Sequence, residues 1–132
     1  MRIAIVGDRD IDNADWVNWQ IDEFLSTLES KDKKPTIISG GSRGVDSIVQ
    51  DYAEAEGLDF VLFKPYHLID NKVEFTPRFF FTRNKQIVDN SDFVLIMTSG
   101  EESGCRSIIR YCQKRNKPYI EIPYRDVPEE IA

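Results

Sequence analysis

Apolar positions along the chain fall into two alternating kinds of run. Five are short and nearly continuous: Arg2 to Val6, Thr36 to Ser39, Asp59 to Phe63, Asp92 to Met97 and Pro118 to Ile122. Their Ile, Val and Phe content suits strands buried on both faces, as in a parallel sheet. Between them the period changes. Val17, Ile21, Phe24, Leu25 and Leu28 recur at i, i+4, i+7, i+8 and i+11, a single helical stripe. Val45, Ile48, Val49, Tyr52 and Ala53 repeat the pattern, with Gly57 as a helix stop. A less regular segment, roughly Arg78 to Asn90, has Phe80, Ile87 and Val88 on its inner face, and Cys105, Ile108, Ile109 and Cys112 share one face of a last helix. Strands alternating with helices at this spacing predict an α/β fold: a three-layer sandwich whose mainly parallel five-stranded sheet is flanked by helices.

Candidate chemistry sits where strands end. After the second strand, Ser39-Gly40-Gly41-Ser42-Arg43-Gly44-Val45-Asp46 breaks from an apolar run into glycines and then into a helix. Such a turn exposes backbone N–H groups at a positive helix end, which suits phosphate or another anion; without a ligand it is a tight strand-to-helix turn. A second loop of similar make, Thr98-Ser99-Gly100-Glu101-Glu102-Ser103-Gly104, follows the fourth strand. Two such loops favour a binding site at the carboxyl ends of the sheet. Arg83 and Asn84 stand three and four residues after Phe80, at the edge of the inner face. Either they snorkel and cap neighbouring carbonyls, or they point into a site; the second Gly-rich loop just downstream favours the site. Asp8, at the end of the first strand, either bonds a ribose hydroxyl or caps its own loop. The segment Lys64 to Pro77 reads as a long connection of the length that lids and binding loops have.

The bulk numbers narrow the classes. With 132 residues the chain is expected to form one domain, residues 1–132, with an acidic surface tail over about 124–132. A net charge of −6 argues against a broad nucleic-acid surface, so nucleic acid is not the expected partner, although a small positive pocket is compatible with it. No stretch approaches the roughly 20 apolar residues of a membrane span, and the first apolar run is too short for a signal peptide. Cys105 and Cys112 would lie roughly 10 Å apart on one helix, beyond disulfide reach. Two buried thiols and a cytoplasmic setting are therefore expected.

Other chemistries lack support. Asp8, Asp10 and Asp12 alternate, but Asn13 and Trp19 stand where a calcium loop needs glycine and glutamate. His67 is the one histidine and reads as a surface residue, so neither a metal nor a cofactor is expected. The serines of the two loops have no identifiable base. The triplet Phe79-Phe80-Phe81 is compatible with base stacking, but its helical position leads us to expect at least two of the rings to fill the core. Trp16 and Trp19 near the first helix are candidates for a homo-oligomer interface.

Taken in order, several blocks resemble the SLOG superfamily, the Rossmann-like group that contains the DprA/Smf domains and the LOG phosphoribohydrolases. They are Ile5-Val6-Gly7-Asp8-Arg9, then Ser39 to Asp46, then Thr82-Arg83-Asn84 with Val88-Asp89, Ser91-Asp92 and Val94, and finally Ser103-Gly104-Cys105. The likeness spans residue 2 to about 122 and is to small single-domain members of undefined biochemistry, often from phages and bacteria. It implies a site for a nucleotide or nucleotide-derived ligand. Gly40, Gly41, Ser42, Arg43 and Gly44, followed by Asp46, would cradle phosphate. Arg83 and Asn84 would look toward the same cavity, Ser99, Gly100, Ser103 and Gly104 would close it, and Gly7, Asp8 and Arg9 would form its floor.

One departure bears on catalysis. The LOG enzymes carry Pro-Gly-Gly-x-Gly-Thr-x-x-Glu, whose glutamate supports N-glycosidic cleavage. Aligned on Gly104, this chain has Cys105 at the threonine and Ile108 at the glutamate. The resemblance therefore implies a sensor or binding module first. A nucleoside-phosphate N-glycosidase using Glu101, Glu102 or Asp8 comes second, and DprA-like single-stranded DNA binding third.

Overall fold

In a computed structural model of the protein, residues 1–28, 34–64, 67–69, 72–74, 77–99 and 105–125 are described. The five expected strands form one parallel sheet in the order β3 (Phe60–Leu62), β2 (Thr36–Ser39), β1 (Arg2–Gly7), β6 (Phe93–Thr98), β7 (Tyr119–Pro123). Counting the sheet's own strands this is 3-2-1-4-5, the order of doubly wound sheets, with its reversal between β1 and β6.

The continuous apolarity of the strands has a direct cause. Alternate residues serve two cores, because the pleat sends neighbours to opposite faces. Ile3, Ile5, Ile37, Leu95 and Met97 pack beneath α1 (Ala14–Ser26) and α2 (Val45–Ala55), with Val17, Ile21, Val45, Val49 and Ala53. Ala4, Val6, Ile38, Val94 and Ile96 pack beneath α3 (Pro77–Asp89) and α4 (Arg106–Lys114), with Ile87, Val88, Ile108, Ile109 and Cys112. The result is the three-layer, Rossmann-like α/β sandwich.

Local signals set the helix ends. The Asn13 side chain caps α1 by accepting from the Trp16 N–H at 3.0 Å. Helix α2 stops where Gly57 takes φ 67° and the Leu58 N–H reaches back to the Ala53 carbonyl at 2.8 Å. Asn116 does the same for α4, at φ 54°. Cys105 and Cys112 are both buried free thiols.

Three sequence expectations change. Within the expected long connection Lys64 to Pro77, β4 (His67–Ile69) pairs antiparallel with β5 (Lys72–Glu74). The aromatic triplet supplies no fully buried ring: Phe79 and Phe80 are half-buried and Phe81 is 56% exposed. Tyr124, where a tail was expected to begin, packs edge-on against Trp16 at 4.9 Å, and its N–H donates to the Thr98 carbonyl at 2.7 Å. Trp16 is therefore engaged within the chain, whereas Trp19 is 58% exposed. Gly100 to Gly104, with the acids Glu101 and Glu102, lie outside the described residues, as do Asp126 to Ala132 and the His67 side chain.

Candidate functional site

The sheet order puts a crevice between the carboxyl ends of β1 and β6, where the chain leaves adjacent strands toward opposite faces. Asp8 ties that crevice. Its Oδ2 accepts the Ser99 N–H at 2.5 Å and the Ser99 hydroxyl at 2.6 Å, and its main-chain carbonyl accepts the Val45 N–H at 3.3 Å. One residue thus joins the loop after β6 to the first turn of α2. The loop that this carboxylate holds is the one after β6, not its own.

The Gly-rich turn holds an anion of its own. Asp46, one residue into α2, is 4% exposed. Its Oδ1 accepts the Gly7 N–H and its Oδ2 the Ser42 N–H, each at 3.2 Å. Burial pushes its carboxyl up to about 6, against the opposing pull of the Ser42 bond, the Arg83 charge and the Gly7 bond. The Ser42 N–H, expected to face phosphate, is thereby committed inside the protein.

Arg83 and Asn84 are bonded to each other. The Arg83 Nη1 donates to the Gly40 carbonyl at 2.6 Å, its Nε donates to the Asn84 Oδ1 at 2.9 Å, and its guanidinium lies 5.7 Å from the Phe80 ring centroid. Burial lowers its pKa, with Asp46 opposing. A Cβ at Gly40 would fall 2.4 Å from the Arg83 Nη1 and 3.0 Å from the Asp46 Oδ2, so glycine is what lets these two charges approach the loop. The other end of the Asn84 amide donates from Nδ2 to the Ser107 hydroxyl of α4 at 3.2 Å. The bonded pair thus links the Gly-rich turn to α4.

What remains open lies on the rim. Arg9, Gly41, Arg43 and Ser99 are exposed, with Ser42 and Gly44 half-buried. Gly44 is the N-cap of α2 and supplies no side-chain cap, which leaves the Asp46 and Ser47 N–H groups without one. A Cβ on Gly44 would sit 2.5 Å from the Arg9 carbonyl oxygen, so the loops after β1 and β2 are pressed together with Arg9 and Arg43 beside the helix end. Gly100, Ser103 and Gly104 lie outside the described residues.

One feature was not found from sequence. Glu121 of β7 accepts from Thr98 Oγ1 at 2.7 Å, from Arg106 Nη1 at 3.0 Å and also from Arg106 Nη2. These bonds, Arg106 first, hold its carboxyl below the usual range. Thr98 and Arg106 bracket the second Gly-rich loop in sequence, so the clamp fixes both of its ends. A lone glutamate in the apolar strand Tyr119-Ile120-Glu121-Ile122 was the available signal. Among the described residues, no three His, Cys, Asp or Glu side chains converge as metal ligands do. No helix among them is long and apolar enough to cross a membrane.

The fold has solved counterparts. The chain superposes on DNA processing protein A of Helicobacter pylori, a protein with a single-stranded DNA binding mode, with a TM-score of 0.74 at 22% identity, covering 95% of this chain and 66% of that one. It matches DNA processing protein A (DprA) of Streptococcus pneumoniae with a TM-score of 0.74 at 17% identity, covering 96% of this chain and 51% of that one. The chain thus spans less than two thirds of either relative's length. No curated protein matches it in sequence.

These neighbours correct one expectation. Net charge argued against nucleic acid, yet a protein built on this fold binds single-stranded DNA. The charge argument fails because −6 averages over a polarised molecule. Helices α1 and α2 carry Asp15, Asp22, Glu23, Asp46, Asp51 and Glu54 and no lysine or arginine. Helices α3 and α4 carry Arg78, Arg83, Lys85, Arg106, Arg110 and Lys114 against the single acid Asp89.

A family model describing the YAcAr group matches residues 1–67, which include β1, the Gly-rich turn and α2. The match covers half of the chain and takes in the β1 and β2 side of the crevice, with Asp8, the Gly-rich turn and Asp46. The protein belongs to the YspA, cpYpsA-related SLOG family.

Proposed function

We propose that this binding module takes a nucleotide or nucleotide-derived small molecule at the carboxyl ends of β1, β2 and β6. The observation that carries the reading is the uncapped N-terminus of α2 at the rim of the crevice, flanked by the exposed Arg9 and Arg43. A helix N-terminus without a side-chain cap favours an anion, and exposed arginines on the two loops that meet there suit phosphate oxygens. Because Asp46 already occupies the inner side of the turn, the phosphate sits outside it, against the Gly41-to-Gly44 backbone, Ser47 and Arg43. Ser99, held by Asp8, borders the same crevice, which supports a contact to the sugar from that side. Two reduced thiols in the core accord with a cytoplasmic setting.

Thermal stability measured against nucleoside mono-, di- and triphosphates, cyclic dinucleotides and ADP-ribose variants tests this. A ligand at about 100 times its Kd adds roughly 2.7 kcal/mol, a rise of several degrees for a domain of this size. Arg43 is exposed, so Arg43→Ala is expected to leave the ligand-free Tm within about 1–2 degrees of wild type while abolishing the ligand shift. No shift from any of these compounds would reject the reading.

A further inference from the structure

On a different face of the molecule, α3 and α4 enclose a groove of about 200 Å³. One wall is Phe81 and Lys85, four residues apart on α3; the other is Arg110, Tyr111 and Lys114 on α4. The Asn84–Ser107 hydrogen bond joins the two helices at this groove. The walls are cationic and stay so: Lys85, Arg110 and Lys114 make no ion pair among the described residues. Asp89, the one acid on these two helices, is occupied by the Tyr111 hydroxyl at 2.9 Å and by Arg115 at 3.4 Å. The aromatic groups are not spare core. Phe81 is 56% exposed, and the Tyr111 ring has the Lys85 Nζ 5.9 Å from its centroid.

We infer that this groove binds single-stranded nucleic acid, with the three cations on phosphates and the Phe81 ring stacked on a base. Charge alone would also fit an acidic peptide, or the acidic α1–α2 layer of a second copy. The exposed ring distinguishes them. A flat aromatic face held open among cations is the platform on which unpaired bases stack, and every base has such a face, so binding needs no particular sequence. Acidic side chains would pair with the cations alone, whereas a nucleotide strand meets the cations with its phosphates and the ring with a base. The site shares no side chain with the rim at α2, so either can fail without the other.

The test is fluorescence anisotropy of a labelled 20-nucleotide oligothymidylate at low salt. Wild type is expected to bind, with log affinity falling against log salt with a slope of about −2 for three phosphate contacts. Combining Lys85→Glu, Arg110→Glu and Lys114→Glu should weaken binding at least about tenfold. Phe81→Ala should weaken it about tenfold, and Phe81→Trp should retain it, because stacking needs only the ring face. An unchanged Tm verifies that each of these variants folds. The proposal is overturned if wild type does not bind the oligonucleotide. It is overturned equally if binding survives the triple change but is lost in Arg43→Ala, or if sedimentation shows salt-sensitive self-association in place of oligonucleotide binding.

Discussion

Replacing Asp46 with alanine is expected to cost about 3–5 kcal/mol of folding stability, read by urea denaturation at pH 7. The buried Gly7 N–H and the half-buried Ser42 N–H lose their acceptor, at about 1–3 kcal/mol for the buried one and less for the other. Arg83, 8% exposed, loses the nearby charge that opposes its desolvation. Part of this is offset, because ionised Asp46 is itself unfavourable where it is buried. The sign of that offset can be measured. With a folded pKa of about 6 against an ordinary 3.8, the native state binds the extra proton between those values. Asp46 therefore contributes most below pH 3.8, and that contribution is lost as pH rises through about 6, by at most about 3 kcal/mol. Asp46→Asn cannot titrate. Its stability deficit relative to wild type should be largest near pH 4 and should shrink toward pH 7. A deficit that grows over that range would mean the carboxylate is held by its hydrogen bonds more strongly than burial opposes it.

The second large effect is expected at Gly44. Its backbone lies at φ 75° and ψ −129°, a region only glycine populates readily. A Cβ there would also meet the Arg9 main chain at 2.5–2.6 Å, where no side chain can swing aside. Strain of about 1–3 kcal/mol adds to overpacking of similar size. Gly44→Ala should therefore lose about 3–5 kcal/mol, a large fraction of the roughly 5–15 kcal/mol available to a domain. Gly57→Ala is the internal comparison. It shares a positive φ, 67°, but its Cβ would have only the Lys34 Nζ within reach, at 3.8 Å. It should lose only about 1 kcal/mol. Equal losses at the two glycines would show that φ alone matters and that the two loops are not pressed together as described.

The difference between these glycines marks where sequence reading stops. The five strands were legible because β1, β2 and β6 feed two cores at once, which leaves no polar alternation to confuse them. The helices were legible from their stripes, and the order of motifs led to the right superfamily. Pairwise partners were not legible. Asp46 read as one more polar residue in an anion-binding turn, and nothing in the spacing says that its carboxylate fills the inner side of that turn. Arg83 and Asn84 are adjacent in sequence, and nothing in the spacing says that they bond each other and link the Gly40 carbonyl to Ser107 of α4. The β4–β5 hairpin has strands of three residues, too short for a period to register, although Asp70-Asn71 between them are turn-forming types. The aromatic triplet was read as more buried than it is, because three consecutive residues spread over about 200° of a helix, wider than its core-facing stripe. Net charge misled for a related reason: a sum carries no information about which face holds each sign.

The central claim is that a nucleotide-type ligand docks at the N-terminal end of α2, between Arg9 and Arg43. Amide chemical-shift mapping of the isotope-labelled protein, with the nucleotide that raises Tm most, tests it directly. The account predicts saturable shifts concentrated at Arg9, at Gly41 through Ser47 and at Ser99, and their loss in Arg43→Ala. Shifts that saturate elsewhere, for instance along the α3–α4 groove alone, or that persist unchanged in Arg43→Ala, would contradict it.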